Sequence, residues 1–112
     1  MIVDILFFEG CPNHALARDL VECILADHGS TAEIRDVEVI DATDALTKKF
    51  VGSPTIRVDG VDVDPSAAEL VTYGMMCRVY RHNGSMNGVP PREMIERALA
   101  NAQVQRSTNA HG

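Results

Sequence analysis

The stretch Ile2-Val3-Asp4-Ile5-Leu6-Phe7-Phe8-Glu9-Gly10-Cys11-Pro12-Asn13-His14 decides how the rest of the chain is read. Ile2 to Phe8 is apolar on both faces except at Asp4, the pattern of a central strand in a sheet covered on both sides. A helical pattern follows at once, and Cys11 falls between the two. Pro12 suits the first helical position, where a missing N–H is no loss. Unpaired backbone N–H groups and the helix dipole favour negative charge at such a place, which makes a thiol there more acidic and more reactive. His14 lies three residues on, about one turn away, near enough for the two side chains to approach. The order strand, cysteine, proline, helix predicts a reactive sulfur at Cys11. A small, buried, inert cysteine is the competing expectation.

Downstream, about Pro12 to His28 reads as a helix, with Leu16, Ala17, Leu20, Val21, Ile24 and Leu25 on one broad face and Gly29 as its C′ residue. Glu33 to Ile40 has the mixed polarity of an edge-like strand. Thr43 to Val51 reads as a short helix, with Leu46 and Phe50 at i,i+4 spacing, broken by Gly52-Ser53-Pro54. Thr55 to Val58 and Val61 to Val63 flank Asp59-Gly60, among the strongest two-residue hairpin signals. Asp64 and Pro65 have the chemistry of an N-cap and first helical position, for a helix to about Thr72. Met75 to Val89 reads as irregular, with Asn83-Gly84 and Asn87-Gly88 in it. Pro90-Pro91 opens a last helix to about Gln103, with Met94, Ile95, Ala98, Leu99 and Ala102 as its stripe. Residues 104–112 have no apolar period and are expected to form a flexible tail after a single domain over 1–103. The fold class expected is α/β, with a mixed four-stranded sheet flanked by helices and a helix-loop insertion before the last helix.

A chain of 112 residues with 46% hydrophobic content can bury a core without disulfides. With no Trp and only 4% aromatics, that core is expected to be aliphatic. The formal charge of −6, from 10 basic and 16 acidic residues, argues against nucleic acid and against an anionic membrane surface. Asp4 interrupts the first apolar run and no basic segment precedes it, so it does not read as a signal peptide. No stretch approaches the ~20 apolar residues of a membrane span. A cytoplasmic setting is therefore expected. There the three cysteines are more readily reduced, catalytic or metal-binding than a structural framework.

The element order, the cysteine after the first strand and Pro54 at the start of the third resemble the thioredoxin-like superfamily over about residues 2–103, with 64–89 outside the minimal pattern. That family opens its first helix with Cys-x-x-Cys and sets a cis-proline against it. The resemblance implies a cis Pro54 and a Ser53 whose backbone groups meet an extended substrate. The chain also resembles small thioredoxin-like proteins with Cys-Pro-x-His. Some of those carry selenocysteine at the matching cysteine, and some are labelled organomercurial-lyase-like.

His14 stands where the second cysteine of the family motif would be. Cys-x-x-Cys resolves its own mixed disulfide, because the second thiolate attacks the first sulfur; Cys-x-x-His has no such thiolate. His14 as a cation would stabilise the Cys11 thiolate, as a neutral base it would take its proton, and as a polar surface residue it would do neither. The family connection that holds Met75-Met76-Cys77-Arg78 lies near the motif cysteine. Cys77 is thus a candidate resolving thiol, with Arg78 as a nearby charge, or else a packed structural cysteine. Cys23 is about three turns from Cys11, too far along one rigid helix for the ~4.4–6.8 Å Cα separation of a disulfide.

Three functions follow as expectations. The first is a thiol oxidoreductase needing no cofactor, with Cys11, His14 and Cys77 as catalytic residues and Pro12, Ser53, Pro54 and Arg78 around a small-thiol or protein-disulfide substrate. The second is a soft-metal or organomercury handler using Cys11, His14 and Cys77 as ligands. The third is a non-catalytic partner-binding module. The Asp59, Asp62, Asp64 run lacks calcium-loop spacing and reads as turn and cap.

Overall fold

The computed structural model describes residues 1–110, with side chains described through 105. β1 (Ile2–Phe7), α1 (His14–Asp27), β2 (Glu33–Glu38), α2 (Ala42–Lys48), β3 (Thr55–Val58) and β4 (Val61–Asp62) come first. A 3-10 turn (Pro65–Glu69), β5 (Tyr80–His82), β6 (Ser85–Asn87) and α3 (Arg92–Ala110) complete the order. The main sheet has four strands in the order β2-β1-β3-β4, with β1 parallel to β2 and antiparallel to β3. The apolar run is therefore the interior strand expected, and the mixed-polarity strand is an edge.

Pleating sorts β1 between two cores, because successive side chains point to opposite faces. Val3 and Ile5 pack with Ala17, Val21, Ile24 and Leu25 of α1 and Ile95 of α3. Leu6 packs on the other face with Val39, Ala45 and Phe50. Burying the Val, Ile, Leu and Phe side chains among them contributes roughly 1.5–3 kcal/mol each. Asp4, the one polar residue of the run, receives Arg35 Nε across the β1–β2 pair at 2.8 Å. The core is mainly aliphatic, with Phe50 and Tyr80 as its buried aromatics.

α1 ends as its Gly29 predicts. Gly29 has φ +60°, its N–H donates to Ala26 O, and Ser30 N–H donates to Leu25 O at 2.9 Å, the paired bonds of a Schellman motif. The apolar face is narrower than expected: Leu16 is 57% exposed, because it flanks the Ala17–Val21–Ile24 row that meets the sheet. α2 stops at Lys48, since Lys49 turns left-handed at φ 53°. That turn sends Phe50 into the core and leaves Leu46 61% exposed, so the two are not helical neighbours. The Asp59-Gly60 hairpin forms as read, with φ 49° and 85°.

Two departures follow Asp64. It caps as expected, accepting from Ser66 N–H at 3.0 Å, but the helix is only the 3-10 turn to Glu69. The segment read as irregular contains the β5–β6 hairpin, turning at Asn83 and Gly84 with φ 50° and 81°. Asn-Gly is a strong signal for such a turn. α3 runs on to Ala110 rather than ending near Gln103. The expected tail, 104–112, falls partly outside the described residues.

Candidate functional site

Cys11 lies in the turn that carries β1 into α1. Its N–H donates to Phe8 O at 3.1 Å, and His14 N–H donates to Cys11 O at 3.4 Å. The helix begins later than expected: Asn13 is the N-cap, so Pro12 stands before the cap rather than at the first helical position. The physical reason is that the Cys11 carbonyl takes His14 N–H into the tight turn, leaving Asn13 O to accept the first helical bond, from Ala17 N–H at 3.0 Å. Pro12 is exposed and Cys11 half-buried, with its thiol free. The Asn13 side chain makes no capping bond. It lies against Gly88, where an added Cβ would come within 2.1 Å of Asn13 Nδ2. The loop after β6 thus touches the residue between Pro12 and His14.

The His14 ring turns toward β1 and β2. It stacks on Phe7 with centroids 3.7 Å apart and planes within 6°. Its Nε2 is 2.8 Å from Asp36 Oδ1. Asp36 Oδ2 accepts from Arg18 Nη1, and Arg18 Nε donates to Glu22 at 2.8 Å. The parallel register explains why these groups meet. Asp36 is the partner of Ile5 and so stands on the α1 face of β2, beside Ile34, which joins the core there. No hydrogen bond joins Cys11 Sγ to the ring among the described residues; the ring's Nε2 faces Asp36.

Pro54 is joined to Ser53 by a cis peptide bond. Thr55 pairs with Leu6, so this bond stands at the end of the sheet where β1 runs out toward Cys11. Ser53 differs from the expectation. Its N–H donates to Met76 O at 2.8 Å and its carbonyl accepts from Arg78 N–H at 3.0 Å. The segment around Cys77 already occupies the backbone edge expected to receive a substrate, forming a parallel bridge between Ser53 and Cys77. The Ser53 hydroxyl is buried and has no hydrogen-bond partner among the described residues.

Arg78 also departs from its expected role as a charge beside a thiolate. Its guanidinium makes two bonds to Asp62, at 2.6 and 2.9 Å, one to Thr55 Oγ1 at 3.3 Å, and lies 4.4 Å from the Tyr80 ring centroid. Burial works against its charge, but hydrogen bonding and attraction from Asp62 outweigh it and raise the Arg78 pKa. Burial also raises the Tyr80 phenol, which keeps it neutral as it donates to Pro54 O at 2.6 Å. Gly52 closes the arrangement. It has φ +130°, and an added Cβ would lie 3.0 Å from Arg78 Cβ.

Cys77 is exposed rather than packed under its loop, and Cys23 is exposed on α1; neither forms a disulfide. The alternative metal set is not assembled: among the described residues no group of three or more His, Cys, Asp and Glu side chains is placed to hold an ion. The Nε2 of His14 faces Asp36. Cavities of about 420 and 780 Å³ flank β4, against the 3-10 turn and α3 respectively, and neither is lined by Cys11, His14 or Cys77. Sequence reading missed Asp36, Asp62 and Tyr80. For Asp36 the available signal was a carboxylate two residues after Ile34, on the same face of a strand. For Asp62 the hairpin turn was explanation enough, and Tyr80 lay in a segment read as irregular. Compared with known proteins, the chain matches no family model, no curated protein and no solved structure. No helix among the described residues is long and apolar enough to cross a membrane.

Proposed function

We propose that this chain is a thioredoxin-like thiol oxidoreductase in which Cys11 attacks a small or protein disulfide. The observation that carries the reading is the half-buried, unpaired Cys11 in the β1–α1 turn, at the same end of the sheet as the cis Ser53–Pro54 bond. Support also comes from the strand order β2-β1-β3-β4, with β1 parallel to β2 and antiparallel to β3, and from α1 and α3 sharing one face while α2 takes the other. Chemically, the Cys11 thiolate attacks one sulfur of R–S–S–R′. A Cys11–S–S–R bond forms, the R–S–S–R′ bond breaks, and R′S⁻ leaves and takes up a proton. The second step needs another thiol. Either exposed Cys77 attacks the Cys11 sulfur, forming a Cys11–Cys77 disulfide as RS⁻ leaves and takes up a proton, or an external small thiol attacks the R sulfur, forming its mixed disulfide with R and releasing the Cys11 thiolate. A Cys11–Cys77 disulfide is in turn reduced by external thiol.

Cys11 lies in an open turn rather than in either cavity, which suits a disulfide presented on a flexible or extended molecule. Ser53 is not used as a strand-pairing edge in this reading, since Met76 and Arg78 hold both its backbone groups. Mass spectrometry after mild oxidation with a small disulfide tests it. The expected product is a Cys11 adduct or a Cys11–Cys77 bond, and the choice between them identifies the resolving thiol. Modification of Cys23 alone, with Cys11 untouched, would overturn the reading.

A further inference from the structure

We propose that Asp36 is a positioning residue for the Cys11 chemistry, holding His14 in the tautomer that accepts the Cys11 proton. This rests on the thiol reading above. An ionised carboxylate only accepts hydrogen bonds, so the imidazole nitrogen facing it carries the hydrogen. With Nε2–H donating to Asp36 Oδ1 at 2.8 Å, Nδ1 of the neutral ring keeps its lone pair. The ring is held on its face as well as its edge, by Phe7 stacked at 3.7 Å. A base whose orientation is set by a third group is the general logic of an activated nucleophile.

The charges around the ring set how the base cycles. His14 is the first residue of α1, where the helix dipole disfavours a positive imidazolium. Asp36 opposes that by stabilising the imidazolium once formed. Arg18 binds the other oxygen of Asp36, and Glu22 holds Arg18 in turn. The groups facing the ring are thus Asp36 from β2 and Phe7 from β1, with Arg18 and Glu22 of α1 behind the carboxylate. In the reaction, Nδ1 takes the proton from Cys11 Sγ–H as the sulfur attacks R–S–S–R′, and returns it to the departing R′S⁻. The proton, the new sulfur–sulfur bond and the released thiol balance. Cys11 Sγ and Nδ1 close up in the encounter with the disulfide; such contacts are commonly longer in unliganded sites.

The test uses the full chain with Cys23→Ser and Cys77→Ser, so that only Cys11 reacts, and 4,4′-dithiodipyridine as the disulfide. Near pH 7, Asp36→Asn is expected to slow the reaction about tenfold or more, within the range for losing acid–base assistance. An amide presents an N–H to Nε2 and drives the hydrogen to Nδ1. Asp36→Glu restores part of the rate. In a His14→Ala background Asp36→Asn changes nothing further, because the two act as one unit. At pH about 10, where ordinary thiols ionise without a base, the Asp36→Asn and parent rates converge. Nitrogen NMR of His14 in the parent shows the Nε2–H tautomer. A rate within twofold of the parent, an equal loss in the His14→Ala background, or an Nδ1–H tautomer overturns the role of Asp36 while leaving Cys11 reactive. If Cys11 of the parent does not react at all, the thiol reading itself fails.

Discussion

Two regions of the molecule use the same ingredients, an arginine, an aspartate and an aromatic ring, to opposite ends. On the α1 face, Arg18, Asp36 and His14 meet over Phe7, with the Arg18 and Asp36 side chains 36% and 34% exposed. Beside β4, Arg78, Asp62 and Tyr80 meet with side-chain exposures of 4% and 15% for the ion pair. Solvent screens the first set, so its charges add little stability. The second is shut away from water, where an unpaired charge is expensive, so its members are committed to one another and to Pro54. Burial, more than residue type, separates a group available for chemistry from one that holds the chain in place.

Breaking the buried set is expected to have the largest effect. Asp62→Ala leaves the Arg78 guanidinium unpaired and should lower the unfolding free energy by about 3–5 kcal/mol in urea titration. Replacing both partners, as Arg78→Met with Asp62→Leu, should recover most of that loss. Failure to recover it would mean that the pair also directs the path of segment 76–78. Gly52→Ala comes next. It demands a positive φ of a residue with a Cβ and presses that Cβ on Arg78, so a loss of about 1–3 kcal/mol is expected in the same titration. The smallest effect is for Asp36→Asn. Removing an exposed pair should change stability by less than about 1 kcal/mol, although the Cys11 rate falls. A stability loss as large as that of Asp62→Ala would erase the contrast between the two regions.

Much of the framework is legible in the linear order of residues. β1 as an interior strand follows from its apolar run, the Schellman end of α1 from Gly29, the β3–β4 hairpin from Asp59-Gly60, and the Asp64 cap from its neighbour Pro65. These are local effects, set by backbone sterics and side-chain period within a few residues. The β5–β6 hairpin is also signalled, at Asn83-Gly84, but its strands are only three residues each and lack the alternation that marks a buried face. The departures at Leu16 and Leu46 share another cause. Helical period shows which residues share a face, but not where the neighbouring element ends or where a residue such as Lys49 turns left-handed.

The candidate site divides in the same way. Cys11, its turn and the proline that opens β3 can be read from the chain's order, because each belongs to the edge of one element. His14 is three residues from Cys11, yet its hydrogen-bonding partner is Asp36, 22 positions away. That pairing exists because β1 and β2 lie parallel in a register matching Ile5 with Asp36. Ser53 and Arg78 do lie near one another, bonded backbone to backbone, but their roles depend on which groups the folded chain has already satisfied. Sequence alone determined that Cys11 stands in the turn between the first strand and the first helix. Tertiary contact settled which histidine nitrogen faces a carboxylate, which arginine is buried, and which backbone edge is taken, since hydrogen-bond satisfaction and desolvation are properties of what surrounds a group.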